Sequence, residues 1–216
     1  MADSLKKGIG TKYLLPIVTF YAAAAGLVGF DRSEVIRSLV EHAGVAGISG
    51  IALLVLQDIV PRSWKEAIVF WRLRDRVPGC RAFSVVARSD QRVNQAELSR
   101  LLPVTSMSPG EENALWYRWL KEADEDPGIC DNHHRFLALR DSAVLVLLLT
   151  LVSPFLLLLG SRSMAGTLWL TGASAGAYLL TASAAAQAAK RLVGNVIAWK
   201  LAHEPAPKKG RSKKRG

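Results

Sequence analysis

Four apolar runs divide this chain, at residues 13–30, 43–60, 142–160 and 164–186, each 18 or more residues long with few or no charges. Eighteen helical residues rise about 27 Å, close to the roughly 30 Å hydrocarbon thickness of a bilayer, and a helix satisfies its own backbone polar groups. Soluble core helices are usually shorter and keep a polar face. The expected fold class is therefore an all-α membrane protein, with four transmembrane helices and a small, mostly helical cytoplasmic domain inserted between spans two and three. The expected domains are an N-terminal transmembrane pair (1–60), the cytoplasmic domain (61–141), a C-terminal transmembrane pair (142–187), an amphipathic or extended cytoplasmic helix (188–204) and a disordered basic tail (205–216).

Charge adds an orientation to this pattern. Lys6, Lys7 and Lys12 precede the first run, and nine Lys/Arg against one acid follow residue 188. The block at 61–141 holds 13 basic and 12 acidic residues, whereas the two short connections are poor in cations. The positive-inside rule then puts both termini and the middle block in the cytoplasm of a multi-pass inner-membrane protein, bacterial by the lack of a targeting extension. The first run, ended by Asp31 and Arg32, is expected to stay as a span and not to be cleaved as a signal peptide. The tail reads as a lipid-surface anchor or, alternatively, as a nucleic-acid-binding segment. Cys80 and Cys130, in a reducing compartment, are expected as free thiols.

The runs differ in kind. The third is nearly all Leu and Val, with Pro154 near its end. The fourth carries Thr167, Thr171, Ser174, Tyr178 and Thr181 at steps of four and three, which places them on one helix face. Gly172 and Gly176 add a Gly-x-x-x-Gly spacing. Two readings stay open: the hydroxyls pack helices and bond back to their own backbone, or they line a pore. The helical pattern continues from 187 to 202, either lying on the inner surface or running on to pack against the middle block.

Within that block a helix is expected from Arg62 to Arg76, closed by Pro78-Gly79, then a strand or extended link over 81–86 and one or two helical turns over 97–102. Ser108-Pro109-Gly110-Glu111 is a helix start, with a capping serine, a proline for the first turn and acids at the positive dipole end. That helix is expected to stop before Asp126-Pro127, and a last one to begin near Asp131. Residues 62–100 hold nine basic and four acidic side chains; residues 101–141 hold four and eight. Either the two halves dock, or Arg72, Arg74, Arg76, Arg81, Arg88 and Arg92 bind an anion. Arginine's planar fork suits phosphate, and Trp116 and Tyr117, with Arg118 beside them and Trp119 nearby, offer stacking surfaces for a nucleobase.

No nucleophile elbow, Walker loop or His-Glu-x-x-His occurs, so no enzyme activity and no cofactor is expected. Cys130-Asp131-Asn132-His133-His134 lacks a second ligand pair at finger spacing and is read as a polar helix start, with no metal.

Taken together, the four runs, the inserted block and the Arg72–Arg92 and Trp116–Trp119 surface resemble the small four-span, pore-forming membrane effectors of bacterial nucleotide-signalling anti-phage defence systems. The resemblance implies antiviral defence, a nucleotide or short oligonucleotide ligand on the cytoplasmic domain, and a homo-oligomer, taken as a tetramer, in the lipid bilayer. The resulting expectation is an ion channel gated by a nucleotide-type anion, with the hydroxyl stripe as pore lining. The alternative is a non-conducting membrane anchor or assembly factor that docks a protein partner.

Overall fold

The computed structural model describes residues 59–102, 106–159 and 164–204, and they are mostly helical. The run at 13–30, nearly all of the run at 43–60, and the tail at 205–216 lie outside the described residues.

Helix α1 (Arg62–Phe70) is shorter than its sequence pattern suggests. Trp71 takes a left-handed conformation, φ 50°, and ends it. Such a backbone is costly for a bulky side chain, but Trp71 Nε1 donates to Tyr178 Oη at 3.0 Å, and that hydroxyl donates to the Ile68 carbonyl at 2.8 Å. A carbonyl in the last turn of α1, lacking a partner within its own helix, is thereby satisfied from another helix. Arg76 folds the following bend back, with Nη1 on the Ser63 carbonyl at 2.7 Å and Nε on that of Leu73 at 2.9 Å.

Residues 81–86 are helical and form neither a strand nor an extended link. A 3₁₀ turn (Pro78–Arg81) leads into a π-helix (Ala82–Val86) and a short α2 (Ala87–Ser89). The cause lies 29 residues downstream. The buried Glu112 Oε2 accepts from the backbone N–H groups of Phe83 at 2.9 Å and Ser84 at 3.1 Å, capping the first π turn. Gly79 lies so close to the next helix that a Cβ there would sit 2.8 Å from Trp116 Cε3.

Asn94 caps α3 (Gln95–Leu101) by accepting from the Ala96 N–H. Ser108 and Glu111 form a reciprocal capping box at the start of α4 (Pro109–Glu122). The last two helices are long: α5 (Pro127–Leu159, 33 residues) and α6 (Met164–His203, 40 residues). Only four residues separate them, so they fold back as an antiparallel hairpin and form the most extensive helix pairing of the described residues.

Residues 188–203 continue α6 unbroken and pack into the middle block. Ala188, Ala189, Leu192, Val193, Val196 and Ile197 share one core with Phe83, Leu98, Trp116, Trp119, Leu120 and Phe136. Phe83 meets Trp119 edge-on at 5.0 Å. A smaller core of Val69, Ala143, Ala182 and Ala185 joins α1 to the middle of the hairpin. Beside it, Arg140 Nη2 lies 2.9 Å and Lys65 Nζ 3.6 Å from Asp141 Oδ1, all three side chains largely buried.

These helices correct the four-span fold class. Among the described residues, no helix is long and apolar enough to cross a membrane. The multi-pass inner-membrane placement, and the membrane, transmembrane, ion-channel and pore assignments that depended on it, fall with that finding. An uncharged run is not the same as an apolar one. In α6, Gly, Ala, Ser and Thr dilute the Leu and Trp residues throughout 164–187. In α5, His133, His134, Arg135, Arg140 and Asp141 occupy the same helix as the Leu/Val run and tie its first half to the domain.

Two measurements check this architecture. Glu112→Ala strands one buried and one part-buried N–H group and should cost about 1–3 kcal/mol in urea unfolding, while Glu112→Gln, keeping one acceptor, should cost less. His133 is held well below its ordinary value, at about 4, by burial and then by the positive neighbours His134, Arg62 and Arg140. The unfolded chain therefore binds the extra proton between pH 6.5 and 4, so stability falls on acidification through that window. From pH 7 to 5 the loss should be roughly 1–2 kcal/mol, and His133→Gln should flatten that part of the profile.

Candidate functional site

The five hydroxyl residues on one face of α6 look inward. Thr167 and Ser174 are each 3% exposed, and Thr171, Tyr178 and Thr181 are half-buried. Thr171 Oγ1 donates to the Thr167 carbonyl at 2.8 Å, Ser174 Oγ to Leu170 at 2.6 Å and Thr181 Oγ1 to Ala177 at 2.9 Å. These are the i−4 back-bonds of a packing face. Tyr178 closes α1. The pore-lining assignment of Thr167, Thr171, Ser174, Tyr178 and Thr181 is thus corrected: their groups are turned toward neighbouring helices in a hairpin that does not provide a membrane span.

The opposite face of α6 is bulky, and among the described residues it is left exposed. Leu168 is 65% exposed, Trp169 79% and Leu180 74%, with Leu179 also exposed; on α5, Leu151 and Phe155 are exposed as well. Gly172 and Gly176 lie on this side, and a Cβ added to either would meet nothing within 4 Å.

The predicted anion-binding residues sit on several elements and differ in exposure. Arg72 and Arg74 are exposed on the bend after α1, and Arg88 is exposed on α2. Arg81 is partly buried at the end of the 3₁₀ turn, and Arg76 is committed to two backbone carbonyls. Arg92 binds Asp90 through Nη2 at 2.8 Å and Nε at 3.0 Å, and reaches Asn195 Oδ1 of α6 at 2.9 Å. The Arg92 hydrogen bonds hold the Asp90 carboxyl below its usual range. Trp116 and Trp119 belong to the core, so neither offers a free face for a base. Tyr117 is exposed, but Lys121 Nζ sits 5.0 Å over its ring.

Arg118 is placed differently. It lines an open groove with Leu101, Leu102, Ser106, Met107, Glu111, Ala114 and Leu115. The sequence marks Arg118 only as a neighbour of the aromatics and does not show the groove, although Glu111, Ala114, Leu115 and Arg118 follow one helical face. Among the described residues no three His, Cys, Asp or Glu side chains gather to hold a metal, and Cys80 and Cys130 are free thiols.

The Asp90–Arg92–Asn195 tie depends on Gly194, where a Cβ would fall 2.5 Å from Asp90 Oδ2 and 3.3 Å from Arg92 Nη2. Replacing a helical glycine by alanine ordinarily gains up to about 1 kcal/mol. Gly172→Ala should show that gain in the unassociated chain. Gly194→Ala should instead lower stability by roughly 1–2 kcal/mol because the ion pair must move, a difference in sign that thermal unfolding of the two variants measures.

The chain matches no family model, no curated protein and no solved structure.

Proposed function

We propose that this protein is a non-enzymatic interaction protein that associates through the outer face of its α5–α6 hairpin, with a second copy of the chain as the partner on that face. The observation that carries this reading is the set of exposed Leu168, Trp169, Leu179 and Leu180 side chains on one side of α6, with Leu151 and Phe155 exposed on α5. Folded chains rarely leave large apolar side chains clustered in water without a partner.

Three features favour a second copy. Residues 164–189 carry no Asp, Glu, Lys or Arg, so a two-fold contact along this stretch brings no like charges together. Gly172 and Gly176 are open and allow two helix backbones to approach closely. A strip about 36 Å long and two helices wide offers roughly 700 Å² per copy, near the ~800 Å² of a standard interface.

Sedimentation velocity over a concentration series tests the proposal. The native chain should form a discrete oligomer. Leu168→Glu with Leu180→Glu, two charges on exposed positions that leave both cores untouched, should raise the dissociation constant about 100-fold. A native chain that stays monomeric, or an oligomer indifferent to both charges, overturns it.

A further inference from the structure

Away from the hairpin, the end of α3 and one face of α4 from Glu111 to Arg118 border an open groove of about 580 Å³, within the size range of small-molecule sites. Its floor is apolar: Leu101, Leu102, Met107, Ala114 and Leu115. Two opposite charges stand on its α4 wall, Glu111 and Arg118, seven residues or about 10 Å apart along the helix axis.

Those charges are not equivalent. Glu111 Oε2 accepts the Ser108 N–H at 2.7 Å within the capping box, which keeps this carboxylate ionised and tied to the helix start. Arg118 takes part in none of the ion pairs among the described residues. Its guanidinium is the lining's one cationic group, at the end of the groove away from Glu111.

We propose that this groove binds an amphipathic monoanion, a molecule with an apolar tail and one carboxylate head, with the head on Arg118 and the tail along Leu115 and Met107. The planar guanidinium makes two parallel hydrogen bonds to a carboxylate. The apolar floor removes the tail from water. Glu111 fixes the direction, since its charge repels the head and favours the end bearing Arg118. A phosphate dianion is less suited, because a single cation faces it and an acid shares the wall.

The test uses the full chain titrated by calorimetry with decanoate, decanol and decylamine, each below its micelle concentration. The expected result is one decanoate site at least tenfold tighter than decanol, with decylamine weakest. Arg118→Ala should bring decanoate down to decanol, and Arg118→Lys should restore part of the preference. Ala114→Trp, which fills the groove from an exposed position, should remove binding of both. The Leu168→Glu/Leu180→Glu variant should bind decanoate like the native chain, which separates this site from the hairpin face. Equal affinity of the native chain for decanoate and decanol, or a tenfold preference that survives Arg118→Ala, overturns the proposal; so does decanoate binding lost only with the hairpin charges. Because Arg118 is exposed, its variants keep the proposal falsifiable even if Ala114→Trp fails to fold.

Discussion

Everything in the described structure leans on one side of α6. Ala182, Ala185, Ala189, Leu192, Val193, Val196 and Ile197 are almost free of solvent contact, and they take part in both hydrophobic cores. A 40-residue helix is about 60 Å long. Its second half fills the centre of the small domain, and its first half pairs with α5. The domain and the hairpin therefore share a continuous backbone and not a linker. The residues chosen for the buried side suit close packing: alanine, serine and threonine toward α5 and α1, where bulk would hold the helices apart. The outer side carries Leu168, Trp169, Leu179 and Leu180 among small residues such as Gly172 and Gly176. Large apolar side chains are thereby left exposed on the outer face.

Three arginines of the described residues act as structural ties. Arg76 joins the bend after α1 to that helix's own start, Arg92 joins the 90–92 turn to α6, and Arg140 neutralises Asp141 beside Lys65. A planar group with several donors serves such roles well, because one side chain satisfies two or three acceptors at once. The excess of cations over 62–100 is therefore partly consumed inside the domain. Arg118 stands apart because its neighbours in the groove are apolar and the nearby Glu111 is occupied by its cap.

How much was legible in the sequence follows from the range of the interactions. The α4 start was readable because Ser108, Pro109 and Glu111 act on each other within three residues. The hydroxyl stripe was readable as a single face, and so was the helical pattern beyond residue 187, since both depend only on helical period. The end of α1 was not, because Trp71 is held by Tyr178, 107 positions away. The π-helix at 82–86 was not, because Glu112 supplies its cap from 29 residues on. The groove beside Arg118 needed α3 and α4 to be placed together.

By itself, then, the sequence determined the capped start of α4 and the helical period of the hairpin, whereas α5 begins at Pro127 and not near Asp131. It also showed which residues share a face, but not which face turns inward. Length without charge pointed to four spans, yet a run of Gly, Ala, Ser and Thr is equally suited to close helix packing, and only its partners distinguish the two outcomes. Tertiary structure decided that α6 turns its hydroxyl face inward, that Trp116 and Trp119 are core, and that Arg76 and Arg92 are held by groups of the chain itself. The physical reason is the same throughout: capping and periodicity act within one or two turns, whereas burial and ion pairing are set by whichever distant segment packs alongside.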